Sequence, residues 1–304
     1  MKKFLKIFLI LLLISLIGGT IMKLSKKSKS INVNSSIDIV YELKRSIIIT
    51  EVNKEIKLLD NVISENKLSI DIQGEYDISK ENIYHLNYIL STDNKATKEP
   101  FTLIVASNIA KTTNNFDIYT INGVTYVDNT LIVNKSFSLP QNYQPLNENN
   151  INCLDCLDSQ MMEQFFKMQA DAFMNNLNLF ISSGFRSFER QQELYTMYTS
   201  KDGQEMADIY SARPGHSEHQ TGLAFDLNSV DSSFADTAEG KWVNENCYKY
   251  GFIVRYPKDK ETITGYKYEP WHLRYVGESL AKIIYNNGNW LTLEEYFGIP
   301  SSYQ

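Results

Sequence analysis

The first hydrophobic block of the chain differs from everything that follows it. Ile7 to Met22 reads IFLILLLISLIGGTIM with no charge, between Lys2, Lys3 and Lys6 on one side and Lys23, Lys26, Lys27 and Lys29 on the other. This run is shorter than the roughly 20 residues a membrane-spanning helix needs. Phe4 and Leu5 lengthen it if the Lys6 stem lies along apolar surface and lifts its charge to the interface. Residues 1–30 are therefore expected to form an N-terminal membrane anchor, with a cleaved signal segment as the alternative and Gly18-Gly19-Thr20 as its candidate cleavage site. No cysteine lies in this stretch, so lipid attachment through one is excluded. Lysines flank both ends, and the positive-inside bias does not set an orientation.

Residues 23–36 are polar and basic and read as a linker. Further on the pattern turns to period two. Ile37-Asp-Ile-Val-Tyr and Ile47-Ile-Ile-Thr are β-branched runs, and Leu68-Ser-Ile-Asp-Ile alternates apolar and polar. Residues 31–117 are read as a β-rich spacer that carries no chemical motif. Gly123 to Asn134 then reads as a hairpin turning at Asp128-Asn129. The Asn-rich stretch up to Asn152 is a loop.

Helical spacing appears next. Asp158 or Ser159 caps a run in which Met161, Phe165, Met168 and Ala172 share one face, a pattern that marks core. A short strand at residues 179–182 precedes Gly184, and a helix follows from Phe188 to about Thr199. Residues 200–215 are expected to be loop. A strand at 223–227, a helix at 237–250 stopped by Gly251, a strand at 252–256 and a polar loop to Gly265 follow. One more strand leads into Trp271 and His272. Helices at 276–286 and 293–297 close the chain, the last behind a Thr292/Glu295 capping box. Strands and helices interleave without a βαβ rhythm. The expectation for residues 118–304 is thus an α+β domain, an antiparallel sheet with flanking helices.

Composition narrows the class. With 304 residues, 43% of them hydrophobic, the chain can bury a sizeable core. A net charge of -6, with no basic patch after residue 30, gives no basis for nucleic-acid binding. There are three cysteines. Cys153 and Cys156 form a lone C-x-x-C with no second pair to complete a zinc ribbon, and read as a small local disulfide or two thiols.

The chemistry concentrates in two short segments. Three of the four histidines lie in Arg213-Pro-Gly-His-Ser-Glu-His-Gln-Thr-Gly-Leu-Ala-Phe-Asp226 and Glu269-Pro-Trp-His272. Two imidazoles and one carboxylate make a three-ligand zinc site with one position open to water, which a catalytic centre requires. A free carboxylate beside that water can serve as general base and then acid. Glu269 precedes His272 by three residues, a spacing that would place them on opposite faces of a regular strand. Pro270 is expected to bend the chain and bring both to one cavity. His219 and Asp226 are seven apart, and a loop entering a strand through a turn at Gly222 removes the same parity problem. His216 is a rival ligand.

Ser217-x-His219-x-x-Gly222-x-Ala224-x-Asp226, followed by Glu269-x-Trp271-His272, resembles the signature of the VanY-type D-alanyl-D-alanine carboxypeptidases. Ser183-Gly-Phe-Arg-Ser187 with Gln191, and the run from Gly265 to Gly277, resemble that family's substrate and catalytic segments. The resemblance covers about residues 120–298 and leaves the β-rich spacer outside. It implies His219, Asp226 and His272 as ligands of one zinc ion and Glu269 as the catalytic base. It further implies Arg186 as the grip on the substrate carboxylate, with Ser217 and Gln191 holding the substrate backbone. Phe185 stands where the family more usually has Tyr.

The implied activity is removal of the C-terminal D-alanine from peptidoglycan stem peptides, outside the cytoplasmic membrane and tethered to it. L,D-carboxypeptidase or endopeptidase action at the same site stays open, as does a non-catalytic wall-binding module. The intact Glu269 speaks against the last.

Overall fold

The computed structural model describes residues 39–65, 67–145 and 156–303. The apolar run at 7–22, the linker, Cys153 and most of the Asn-rich stretch lie outside the described residues. Among the described residues no helix is long and apolar enough to cross a membrane.

The described chain forms two units. One holds residues up to Ile48, Ile56–Tyr76 and Tyr84–Leu103; the other holds Ile49–Glu55, Asp77–Ile83 and Ile104 onward. The first contains β1 (Tyr41–Leu43), the start of β2 (Ile47–Glu51), β3 (Val62–Ser64), β4 (Ser69–Gln73), most of β5 (Asn82–Ser91) and the first half of β6 (Ala96–Lys111). β1 pairs antiparallel with β3, and β4 with β5. The period-two pattern read at residues 68–72 is thus a strand with alternating burial. Leu86, Tyr88, Leu90, Phe101 and Leu103 make its core, with Tyr88 and Phe101 stacked at 4.1 Å.

The second unit carries the site. The later half of β6 pairs with β7 (Asp117–Ile121), which pairs with β8 (Val124–Val127) and then β9 (Thr130–Ile132), all antiparallel. Asp128 and Asn129 join β8 to β9 with φ of 46° and 63°, the double left-handed turn that matches strand twist. A four-stranded antiparallel sheet follows, ordered β10 (Ile181–Ser183), β11 (Ala224–Leu227), β13 (Glu269–Tyr275), β12 (Phe252–Tyr256).

One face of this sheet is core. The helix α1 (Ser159–Met174), capped by the Asp158 side chain on the Met161 N–H at 2.8 Å, buries Met161, Phe165, Met168 and Ala172. Phe165 meets Phe225 edge-on at 5.2 Å, and Phe225 meets Phe252 at the same distance. Burying one such ring contributes about 1.5–3 kcal/mol. Alternation along β11 and β13 then turns Asp226, His272 and Arg274 to the other face, while Phe225 and Leu273 face the core.

The helix α2 (Phe188–Asp202) begins at the Ser187 cap. The stretch expected as loop after it contains a further helix, α3 (Gln204–Tyr210). Gly203, at φ 80°, breaks the first helix and permits the second to start. The chain continues through α4 (Ala238–Asn246), a short α5 (Glu261–Thr264) inside the expected polar loop, α6 (Glu278–Tyr285) and α7 (Leu293–Phe297). The capping box of Thr292 and Glu295 is formed.

Candidate active site

His219 sits in a 3-10 turn, Glu218–Thr221, between extended Ser217 and left-handed Gly222. At residue 222, φ is 71° and an added Cβ would lie 2.5 Å from the Cys156 carbonyl oxygen. Only glycine lets the chain reverse there, and the reversal leads into β11 and Asp226. Across the sheet, Asp226 and His272 are register partners, so their side chains emerge side by side.

The three groups meet. His219 Nε2 lies 3.3 Å from one Asp226 carboxylate oxygen, and His272 Nδ1 lies 3.1 Å from the other. The two imidazole rings are 4.9 Å apart and nearly perpendicular. His219 Nδ1 donates to the Gly184 carbonyl at 2.7 Å, which leaves Nε2 with its lone pair toward the cluster. All three residues are buried. Burial alone would raise the Asp226 carboxyl, but His219 and His272 hold it well below the usual carboxylate range. Burial keeps His219 below its ordinary value. Burial also works against a charged His272, yet hydrogen bonding to Asp226 and Glu218 lifts it to about 9.

Glu269 opens β13, opposite Tyr256. Between the pairs Val254↔Leu273 and Tyr256↔Glu269 one strand advances two residues and the other four. This irregularity, at Pro270 and Trp271, removes the regular alternation that would separate Glu269 from His272. Burial pushes the Glu269 carboxyl up to about 7 against the pull of His272, and it also feels the charges of Asp226 and Arg186.

Arg186 follows β10. Its Nη1 donates to Gln191 Oε1 at 2.9 Å and its Nη2 to Ser183 Oγ at 3.2 Å. Gln191 is itself buried, and its Nε2 donates to the Ala212 carbonyl at 2.6 Å. Gln191 therefore braces the guanidinium, the Ser211 hydroxyl and the Ala212 backbone together. Ser217 is buried two residues before His219. His216 stands apart from the three-residue cluster: its Nδ1 lies 2.8 Å from the Asn134 carbonyl, and its ring packs edge-on against Tyr303.

Sequence reasoning passed over a second set of groups beneath the site. Glu218, Arg255, Arg274 and Glu294 are all buried and paired: Arg255 donates to Glu218 and to both oxygens of Glu294, and Arg274 donates to Glu218. The signal available was two arginines, each inside a largely apolar strand (FIVRY and PWHLRY), which require buried acids as partners.

Among the described residues, His219, Asp226 and His272 form a group able to hold a metal ion, their ligand atoms within 4.8 Å of one another. Two imidazole nitrogens and a carboxylate oxygen, buried and convergent, suit zinc and leave one of four tetrahedral positions for water.

A family model described as VanY, D-alanyl-D-alanine carboxypeptidase, matches residues 155–278, a span that contains every residue of this site from Arg186 to His272. YodJ of Bacillus subtilis (strain 168) is 40% identical over 200 residues, 60% of this chain and 72% of that protein. A D-alanyl-D-alanine carboxypeptidase of Enterococcus faecium is 40% identical over 141 residues, 46% of this chain; the match spans 43% of that relative's length. Among solved structures, the LdcB LD-carboxypeptidase matches with a TM-score of 0.52 and 38% identity, over 64% of this chain and 98% of its own.

Proposed function

We propose that this chain, which belongs to the VanY family of D-alanyl-D-alanine carboxypeptidases, removes the C-terminal D-alanine of peptidoglycan stem peptides with the help of one zinc ion. As a member of that family it is an enzyme, a hydrolase. The observation that carries the finer reading is the convergence of His219, Asp226 and His272 beside the half-buried Glu269, which is not among the three metal-facing residues.

His219, Asp226 and His272 would hold the zinc. When bound, zinc supplies Lewis acidity, polarising the scissile carbonyl and lowering the pKa of water to about 7. Glu269 accepts a proton from the attacking water. A carboxyl raised toward neutrality can also give that proton back, here to the leaving nitrogen of the terminal residue. Arg186 offers a planar fork to the substrate's terminal carboxylate, already oriented by Gln191 and Ser183. A carboxylate-binding arginine beside the reacting centre favours cleavage at a chain end, where the terminal carboxylate lies next to the scissile bond. Ser217, buried beside the His219 turn, is assigned to the substrate backbone.

A second reading, L,D-carboxypeptidase action, is favoured by the likeness to the LdcB LD-carboxypeptidase. Both reactions use the same proton transfers and differ in the residue that precedes the terminal D-alanine. Endopeptidase action and a non-catalytic wall-binding module are the remaining readings; a binding module has no use for Glu269 as a base. We further propose that residues 1–30 anchor the chain in the membrane with the catalytic unit outside the cytoplasm, where its substrate lies, or direct its secretion if cleaved.

One experiment separates these readings. The full chain is incubated with a pentapeptide ending in D-Ala-D-Ala and, separately, with a tetrapeptide ending in a single D-Ala after an L-centre. Released D-alanine is followed with and without a chelator. Chelator-sensitive release from the pentapeptide supports the first reading. Release from the tetrapeptide alone supports the second. Cleavage of neither, with zinc bound, leaves endopeptidase action or the binding module.

A further inference from the structure

Glu218 lies next to a metal-binding histidine in sequence, yet its side chain points to the other one. It is 1% exposed. Its Oε1 is pinned from two directions, by Arg255 Nε at 2.8 Å and Arg274 Nη1 at 3.2 Å. Those arginines are held in turn: Arg255 by both oxygens of Glu294 at 2.9 and 2.7 Å, Arg274 by the Leu131 carbonyl at 2.8 Å. The carboxylate therefore has one orientation, and in it Oε2 faces His272 Nε2 at 3.5 Å. Apart from each other, neither Glu218 Oε2 nor His272 Nε2 has a hydrogen-bond partner among the described residues. Leaving either one unserved in a buried site costs about 1–3 kcal/mol.

We propose that Glu218 is a positioning residue that fixes His272 from behind. The carboxylate receives the Nε2–H and so commits Nδ1, 3.1 Å from Asp226, to the metal. His219 is fixed the opposite way round, its Nδ1 donating to Gly184 and its Nε2 left for the metal. The two imidazoles thus present different nitrogens, each chosen by a partner outside the ligand set. The buried arginine pair has a function in this arrangement: it holds one carboxylate oxygen so firmly that the other can only serve the histidine. The inference rests on the reading of a metal-dependent hydrolase given above.

The rival account is that Glu218 only balances charge, two carboxylates against two arginines. The test separates them. The full chain, labelled with nitrogen-15 and loaded with cadmium-113, is read by metal–nitrogen scalar coupling. Coupling is expected at His219 Nε2 and His272 Nδ1, with a proton on His272 Nε2 that exchanges slowly with water. Coupling at His272 Nε2, or a fast-exchanging Nε2 proton, overturns the proposal. Coupling at neither histidine overturns the metal reading itself, a distinguishable failure.

Two variants extend the test to zinc affinity, measured by competition with a chromophoric chelator. Glu218→Gln leaves one acceptor oxygen for both the arginines and His272, and zinc affinity should fall about 10–100-fold. Glu294→Gln removes charge from the same cluster without touching His272 and should leave affinity within about threefold. Equal losses in the two variants would mean charge balance alone and overturn the proposal. If Glu218→Gln does not fold, the wild-type coupling pattern decides.

Discussion

The Arg186 N–H donates to the His219 carbonyl at 3.2 Å, and the His219 ring donates back to the same segment at Gly184. The guanidinium assigned to the substrate and the imidazole assigned to the metal are held by one backbone clasp. Geometry between substrate carboxylate and reacting centre is therefore set by the fold, so removal of the Arg186 side chain should act on binding and leave the metal in place. Arg186→Ala should lower kcat/KM about 10–100-fold, the value of a charge-assisted hydrogen-bonded pair, chiefly through KM. Arg186→Lys should recover only part of this, because an ammonium lacks the planar fork. Steady-state kinetics on a peptide ending in D-Ala-D-Ala, with zinc content measured alongside, checks it. An unchanged KM in the alanine variant would remove Arg186 from the substrate site.

Glu269 should show the complementary behaviour. It is not among the three metal-facing residues. Glu269→Gln should retain zinc at full stoichiometry while kcat falls about 10²–10⁴-fold, the range of general acid–base catalysis. Zinc lost together with activity would instead make Glu269 a ligand.

The same carboxyl sets a pH dependence. Burial raises it to about 7 in the metal-free protein, above its ordinary 4.5. The sign follows from linkage: a raised acid favours the folded state below 4.5, and that contribution is lost as pH climbs from 4.5 through 7. Carbon-detected titration of the Glu269 carboxyl in the metal-free chain should have its midpoint near 7. Adding zinc places a positive charge nearby and should move the midpoint down, and activity should decline on the acid side as the base protonates. A metal-free midpoint near 4.5 would show that the carboxyl is solvated and unsuited to returning a proton.

The legible parts of this protein were those governed by local rules. The α1 stripe of Met161, Phe165, Met168 and Ala172 is buried as its spacing implied, and the Asp128-Asn129 turn is present where two adjacent residues could both adopt positive φ. His219, Asp226 and His272 do come together, and the sequence already carried the reason in Gly222 and in the motif order. The Glu269–His272 parity problem was visible, and Pro270 pointed to a bend that would resolve it; the form of that bend was not legible, because a strand irregularity is a property of two paired strands and Pro270 marks only one of them. The helix at Gln204–Tyr210 was hidden because Gly203 reads equally as loop or as a break between helices. The Glu218–Arg255–Arg274–Glu294 cluster was least legible. Its members come from four separated segments, and charged residues in a lone sequence default to the surface until a fold buries them.

Gly222 offers the sharpest separation of backbone from side-chain effects. Gly203 and Gly222 both have positive φ, 80° and 71°, but their ψ values of 161° and 4° put Gly203 where essentially only glycine goes and Gly222 in the left-handed helical region, so alanine is strained at both, by about 1–3 kcal/mol or more, and more so at 203. Their surroundings differ. Around Gly203 an added Cβ meets nothing within 4 Å, whereas at Gly222 it meets the Cys156 carbonyl oxygen at 2.5 Å, and Pro145 at 3.1 Å. Backbone cannot yield as a flexible side-chain end can, so the turn between His219 and Asp226 must shift. Urea unfolding of the metal-free chain should show both variants destabilised, so stability does not separate them and zinc affinity does. Zinc affinity should fall in Gly222→Ala and stay at the wild-type level in Gly203→Ala, because only the former displaces two ligands relative to each other. Full zinc affinity in both would mean that the turn relaxes freely, and that the spacing of His219 and Asp226 does not depend on the glycine between them.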